Sequence, residues 1–381
     1  MAALTWTKLR SFHRYFGHST LLKACFQYSQ KHEHFCILSK CNDGFIQPVN
    51  VFYKRRSTVR YDGFSLESRN YTSALRKRQL VLGIETSCDD TGASVVDDQG
   101  AVLGEALNTQ QKIHLMHGGI IPPVACRLHA ENIEEVVDTC LKRSGISLEE
   151  IDAIATTVKP GLPLSLAVGT EYGKQLALNA RKPFIPIHHM EAHALTVRMV
   201  EQIEFPFLVL LVSGGHSLLV LAHSVDRWSI IGQTVDDAPG EALDKGARRL
   251  KLRNIPECSS MSGGQAIEHL AKEGNPRAYD FPTPHVLSGG VACNNYIRSA
   301  LQKLCEATGY QLLCPPPRLC TDNGIMIAWN GMERWKAQSG VIYDEEAIKN
   351  INIQAKCPIG VDLTEDVRSL GIKIQKWVKF R

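Results

Sequence analysis

Leu80-Val81-Leu82-Gly83-Ile84-Glu85-Thr86-Ser87-Cys88-Asp89-Asp90-Thr91-Gly92 is the stretch on which the fold turns. Leu80 to Thr86 is a short, mostly apolar run that reads as a buried strand. Ser87 to Gly92 has turn chemistry, Ala93 to Val96 reads as a returning strand, and Ala101 to Ala106 as a third. The same plan begins again at Phe207. Leu208-Val209-Leu210-Leu211-Val212 reads as an apolar strand, Ser213-Gly214-Gly215-His216 as a tight turn, Ser217 to Ala222 as the returning strand and Trp228 to Gly232 as a third. Few residues match between 80–107 and 207–234, so the echo is structural rather than a sequence repeat. It predicts two related lobes, each led by a β-meander with a phosphate-sized turn, and a cleft between them.

Helical patterns fill the space between the two units. Val124, Leu128, Ile133, Val136 and Leu141 recur at spacings near three to five, which predicts a long helix. Ile151 to Val158 reads as a strand, and Pro160-Gly161 opens a helix carrying Leu166, Val168, Tyr172 and Leu176. Strands mixed with helices make this an α/β protein. Its duplicated plan is that of the actin, heat-shock chaperone and sugar-kinase superfold (ASKHA, RNase H-like), in which two hairpin turns face a nucleotide.

The chain has 381 residues, 44% of them hydrophobic and 22% charged, enough for two folded lobes plus a tail. No apolar run approaches the ~18 residues that a membrane-spanning helix needs. The net charge of +4 hides an asymmetry. Residues 1–80 hold 14 Lys and Arg against 4 Asp and Glu, so the remainder holds 29 against 35. A basic extension therefore precedes a mildly acidic body, and the overall charge is no argument for a nucleic-acid-binding fold. Before Glu33 there is no acidic residue, while Lys8, Arg10, Arg14, Lys23 and Lys31 alternate with Leu, Phe, Tyr and Ser. This composition fits a mitochondrial transit peptide better than a secretory signal. The 12 cysteines contain no CxxC pair, which argues for reduced thiols rather than a zinc ribbon or a disulfide framework.

Four constellations carry chemistry. In His189-Met190-Glu191-Ala192-His193 the two histidines stand four apart, so on a helix they share a face and could bind one metal with an oxygen ligand from elsewhere. The ordinary alternative is an amphipathic helix with solvated or core histidines. In Leu211-Val212-Ser213-Gly214-Gly215-His216 glycines between strands let backbone N–H groups approach a phosphate, although any tight hairpin also uses glycine. Ser288-Gly289-Gly290-Val291-Ala292-Cys293-Asn294 resembles an adenosine-binding turn, with Asn294 able to bond a ribose or base or simply to cap a helix. Finally, the prolines 315–317 lead to Cys320-Thr321-Asp322-Asn323-Gly324, where Asp322 is either a helix cap or the missing carboxylate ligand.

Taken together, and with Gly83 to Thr91 and Asp237-Ala238-Pro239-Gly240-Glu241-Ala242-Leu243-Asp244-Lys245, these segments resemble the TsaD-type tRNA N6-adenosine threonylcarbamoyltransferases in content and order, over about 79–340. The basic leader is similar to that of the family's mitochondrial branch. The resemblance implies transfer of a threonylcarbamoyl group from threonylcarbamoyl-AMP to N6 of the adenosine beside the anticodon of mitochondrial tRNAs. It further implies one divalent metal ion, iron or zinc, on His189, His193 and Asp322. Leu211, Val212, Ser213, Gly214, Gly215, Asp244, Gly264 and Asn294 would bind the adenylate. A separate synthase would supply that adenylate, the location would be the mitochondrial matrix with no membrane contact, and a homodimer is left open. No residue is assigned as a general base.

The expected organisation is a leader over 1–78, a first lobe with the HMEAH helix over 79–205, a second lobe over 206–344 and a C-terminal tail over 345–381. One departure from the family is large. Only 24 residues, 265–288, separate the Gly263-Gly264 and Gly289-Gly290 motifs, where the family has several helices. This reads as an internal deletion that leaves the second lobe incomplete. Two other classes compete with the transferase. A metallopeptidase needs a Glu directly after the first His, where this chain has Met190, and an ASKHA-type ATPase leaves the paired histidines idle. A truncated, catalytically impaired form of the transferase is the third alternative.

Overall fold

The computed structural model describes residues 78–215, 217–234, 236–272, 274, 290–308 and 311–370. The leader, most of the short 265–288 connection and the basic residues Lys373, Lys376, Lys379 and Arg381 lie outside them.

The first sheet contains β1 (Leu80–Glu85), β2 (Asp90–Asp97), β3 (Val102–Thr109), β4 (Ala153–Lys159) and β5 (Phe184–His188), in the order β3-β2-β1-β4-β5. β1 runs antiparallel to β2 and parallel to β4, so the meander expected from the sequence is extended by a parallel half. Between strands lie α1 (Gln111–His117), α2 (Pro122–Ser144) and α3 (Pro163–Ala180). Pro in the first turn starts both α2 and α3, where its missing N–H costs nothing, and Gly145 in the left-handed conformation ends α2. The apolar stripe of α2, with Ile133, Val136, Val137 and Cys140, covers the outer face of the sheet through Leu82, Ile84 and Val95. Fully burying a side chain such as Leu82 or Ile84 stabilises the fold by roughly 1.5–3 kcal/mol.

The inner face of the same sheet meets α4 (His189–Val200) and a helix from much later in the chain. The second sheet follows α4: β6 (Phe207–Val212), β7 (Ser217–Ala222) and β8 (Trp228–Gln233) form the second antiparallel meander. After it come α5 (Pro239–Arg249), α6 (Gly263–Ala271), α7 (Asn295–Thr308) and α8 (Gly324–Ala337). A single apolar cluster runs from Val81, Ala155 and Ile187 through Leu195 of α4 and Met326, Ile327 and Trp329 of α8 to Val209, Leu211 and Trp228 of the second sheet. The layers are thus helices, sheet, the α4–α8 pair, and second sheet.

Two boundaries drawn from the sequence differ from the packing. α8 falls within 206–344, yet it lies on β1 and β2 and beside α4. The reason is close backbone approach: a Cβ on Gly83 would stand 2.2 Å from the Ala328 nitrogen, and one on Gly324 would stand 2.4 Å from the Ala93 carbonyl carbon. The segment expected as a tail is also partly structural. Within it α9 (Glu345–Lys349) buries Ile348 against the first lobe, β9 (Val361–Asp362) pairs in parallel with β8, and α10 (Thr364–Ser369) buries Val367 on the second sheet. Among the described residues the second sheet has the order β6-β7-β8-β9, which leaves β6 at an edge where β1 of the first sheet has β4 as a neighbour.

Candidate metal and adenylate sites

His189 and His193 occupy the first turns of α4, four residues apart and therefore on one face. His188 ends β5 in an extended conformation and caps the helix: its Nδ1 accepts the Met190 N–H at 3.2 Å, and its Nε2–H reaches the Cys357 carbonyl at 3.2 Å. Burial first, and then Lys159, push its pKa down to about 3, so His188 is a neutral capping residue. Of the two roles left open for Asp322, the helix cap belongs to its neighbour. Asn323 is the cap of α8, its Oδ1 accepting the Met326 N–H at 2.9 Å, and the Asp322 carboxylate turns instead toward α4.

The three side chains converge. His193 Nε2 is 3.0 Å from Asp322 Oδ1, His189 Nε2 is 3.4 Å from the same oxygen, and the two Nε2 atoms are 3.2 Å apart. Ligands about 2.1 Å from one ion, at tetrahedral or octahedral angles, stand about 3.0–3.4 Å from each other. The residues therefore fit a metal ion in both donor type and spacing. They form the one cluster of metal-ligating type found among the described residues. The side chains are 13%, 3% and 23% exposed, which leaves the Asp322 side as the approach.

The electrostatics agree. Burial opposes charge on His189, but Asp322 and Glu85 outweigh it and hold the imidazole pKa well above its usual value. Burial alone would raise Asp322; His189 and His193 beside it hold the carboxyl far below the carboxylate range. Two carboxylates thus face the imidazoles, while at the adjoining turn burial, and then Asp322, push the Asp89 carboxyl up. Such a donor set attracts a cation. Cys88, in the same turn, has its thiol pKa pushed up, by burial and then by Asp89, which disfavours a nucleophilic thiolate.

Sequence reasoning missed Glu85, Ser87 and Thr157 as parts of this centre. Glu85 is fully buried and sits against His189 Nδ1 at 3.3 Å, with Ser87 Oγ at 3.0 Å from the same nitrogen and the Thr157 hydroxyl donating to Glu85 at 2.5 Å. The available signal was a lone charge in an otherwise apolar strand, since an unpaired Glu is almost never fully buried. Glu191, by contrast, faces away from the ligands and pairs with Arg334 at 2.5 Å. It is thereby unavailable as a peptidase-type base.

The residues expected at the adenylate site lie around the β6–β7 turn. Leu211 and Val212 end β6 and are buried, while Ser213, Gly214 and Gly215 form the exposed turn itself. A Cβ on Gly214 or Gly215 would meet nothing within 4 Å, and neither has a positive φ, so the glycines keep the turn open rather than relieve strain. α5 begins against this turn: a Cβ on Gly240 would be 2.7 Å from the Gly214 Cα, and the Glu241 N–H donates to the Gly214 carbonyl at 3.1 Å. Asp244 on α5 receives the backbone amides of Gly264 and Gly263 at the start of α6. Asn294 caps α7, its Oδ1 accepting the Ile297 N–H at 3.1 Å, and the Gly290–Cys293 turn before it adjoins β6 and α5. The glycine turn, both helix starts and the Asn294 turn are neighbours, although Asp244 and Asn294 already have partners within the chain.

Comparison with known proteins sets this geometry in a family. The chain matches the family model described as TsaD, tRNA N6-adenosine threonylcarbamoyltransferase, over residues 101–287 and 285–329. It is 45% identical to the mitochondrial tRNA N6-adenosine threonylcarbamoyltransferase of Rattus norvegicus, covering 84% of this chain and 95% of that protein. The human protein of the same name is 45% identical, over 86% and 97%. The tRNA N6-adenosine threonylcarbamoyltransferase of Sinorhizobium medicae is 36% identical, over 68% and 90%. Among solved structures, YeaZ from Pseudomonas aeruginosa matches at 13% identity and a TM-score of 0.38, over 72% of this chain and 99% of that one. The alignment with the rat protein spans 399 positions, more than the 381 residues of this chain. Since 84% of 381 is about 320 residues, about 79 of those positions have no counterpart here.

Proposed function

The chain belongs to the TsaD family of tRNA N6-adenosine threonylcarbamoyltransferases, and on that premise we propose that it moves the threonylcarbamoyl group of threonylcarbamoyl-AMP onto N6 of the adenosine beside the anticodon of mitochondrial tRNAs. The observation that carries the metal-dependent form of this reading is the convergence of His189, His193 and Asp322 within 4.8 Å of one another. In this reading they hold one divalent ion, iron or zinc. A cation held there supplies positive charge that orients the adenylate and offsets charge developing on the carbonyl oxygen during amine attack.

The chain's own residues do the rest. The backbone of Ser213, Gly214 and Gly215 takes the adenylate phosphate, whose charge needs N–H donors and no further acid. Leu211 and Val212 hold that turn on the sheet, while Asp244 fixes the start of α6 so that Gly264 lines the nucleoside side. Asn294 contributes through the turn it organises. The products are the acylated adenosine and AMP, so a separate enzyme that condenses threonine, carbonate and ATP has to supply the substrate.

The vertebrate relatives are named mitochondrial, and the basic, acid-poor leader agrees with import into the matrix. No helix among the described residues is long and apolar enough to cross a membrane. In this reading the two lobes are those of the ASKHA plan.

A second form of the reading concerns rate. The family match is broken where residues 285–287 are shared by two segments, beside the short 265–288 connection, and about 79 positions of the rat alignment are unfilled. Both support a second lobe that lacks a segment present in relatives, and hence a slower enzyme. The test is transfer of labelled threonylcarbamoyl from its adenylate to unmodified mitochondrial tRNA by the full chain, beside the human relative and a His189→Ala variant. Transfer abolished by the substitution supports the reading, and a rate below the human protein's supports the impaired form. Transfer that survives His189→Ala contradicts the assignment of the centre.

A further inference from the structure

Glu85 ends β1 with a carboxylate that is 0% exposed in a strand whose other members are apolar. Every hydrogen bond it makes is aimed. Oε1 accepts the Ser87 N–H at 2.6 Å, Oε2 accepts the Thr157 hydroxyl at 2.5 Å, and Oε2 also faces His189 Nδ1 at 3.3 Å. Ser87 Oγ is 3.0 Å from the same nitrogen and, as a hydroxyl, can accept as well as donate, whereas an ionised carboxylate only accepts, so Nδ1–H is the arrangement that satisfies both partners. With Nδ1 carrying hydrogen toward Glu85, Nε2 is the nitrogen of His189 left to face a metal ion, and Nε2 is the atom that points to His193 and Asp322.

We propose that Glu85 is the positioning residue of the metal centre: its carboxylate fixes the tautomer and ring orientation of His189 and thereby sets metal affinity. The proposal rests on the metal reading given above. His193 is an internal contrast, because among the described residues its buried Nδ1 has no hydrogen-bond partner. The carboxylate is itself held from two elements, by the Ser87 amide after β1 and by Thr157 of β4, and β1 is locked to α8 through Gly83. Sheet packing is in this way transmitted to one ligand. Such outer partners of a metal-bound histidine orient it and raise its basicity, and losing one typically weakens metal binding about 10–100-fold.

The experiment uses the full chain and zinc alone as the probe, in competition with a chromophoric chelator. Glu85→Gln keeps the volume but offers one oxygen where two acceptors are needed. Its amide nitrogen must face either the Ser87 N–H or His189 Nδ1. The expected result is zinc binding about 10–100-fold weaker, with the metal-free melting temperature near that of wild type. Ring-nitrogen NMR of zinc-loaded wild type should show His189 protonated at Nδ1 and ligating through Nε2. This second measurement decides the matter even if the variant fails to fold. Binding within twofold of wild type, or ligation through Nδ1, overturns the proposal. A wild type that takes up no zinc overturns the metal reading and the proposal together. One that binds zinc in a Glu85-dependent way yet transfers nothing to tRNA supports Glu85 in this role while overturning the transfer reading.

Discussion

Glu191 of α4 and Arg334 of α8 form a 2.5 Å ion pair with side chains only 8% and 12% exposed. It joins the helix that carries the two candidate ligand histidines to the helix that follows Asp322, and Arg198 repeats the link about two turns on by pairing with Glu333 at 2.9 Å. Removing one member of a buried pair leaves the other charge desolvated. Glu191→Ala should destabilise the chain by about 3 kcal/mol, while a Glu191→Met, Arg334→Leu double variant should be much closer to wild type. Urea denaturation of the three chains measures this; equal loss in the single and double variants would contradict it.

Gly83→Ala tests the contact between β1 and α8. The added methyl would lie 2.2 Å from a backbone nitrogen and 2.7 Å from the Gly324 oxygen, neither of which is the end of a flexible side chain. A loss of about 3 kcal/mol or more is expected by overpacking. Gly214→Ala is the control, since its methyl would meet nothing within 4 Å, and it should melt within a few degrees of wild type. Similar melting of both variants would refute the close approach.

Asp90 gives a pH dependence. Burial, the largest influence, outweighs a hydrogen bond with the Thr109 side chain and pushes its carboxyl from an ordinary 3.8 up to about 7, and among the described residues Oδ1 is buried without a partner. The folded chain then binds more protons than the unfolded one between about pH 4 and 7. Its stability contribution is present below that window and is lost as pH rises through it. Asp90→Asn, which cannot ionise, should therefore stabilise the chain at pH 8, by at most about 4 kcal/mol, and change little at pH 4. Thermal melts across pH 4–8 would show the two curves diverging upward in pH; parallel curves would refute it.

Strands were legible wherever apolar runs met turn chemistry: β1, β6, β7 and β8 lie where the sequence placed them, while β2 begins at Asp90, three residues inside the stretch read as a turn. The shared face of His189 and His193 was legible too, because a four-residue spacing on a helix is a local property. Asp322 was harder, since only the structure shows Asn323 taking the cap. What could not be read were partnerships across long separations. Glu85 and His189 are 104 residues apart, and nothing local to either names the other. The placement of α8 against the first sheet follows from close approach of Gly83 and Ala328, again a contact between distant segments. The pairing of β9 with β8 involves two residues, too short a stretch to leave a pattern.

Metal removal tests the central claim most directly. The full chain, stripped with a chelator, would be assayed for transfer of labelled threonylcarbamoyl to unmodified tRNA while zinc or iron(II) is added back. The account requires transfer to vanish on stripping and to return to a plateau at one ion per chain, with no return in Asp322→Ala. Transfer that persists in the stripped protein, or that returns equally in Asp322→Ala, would contradict it.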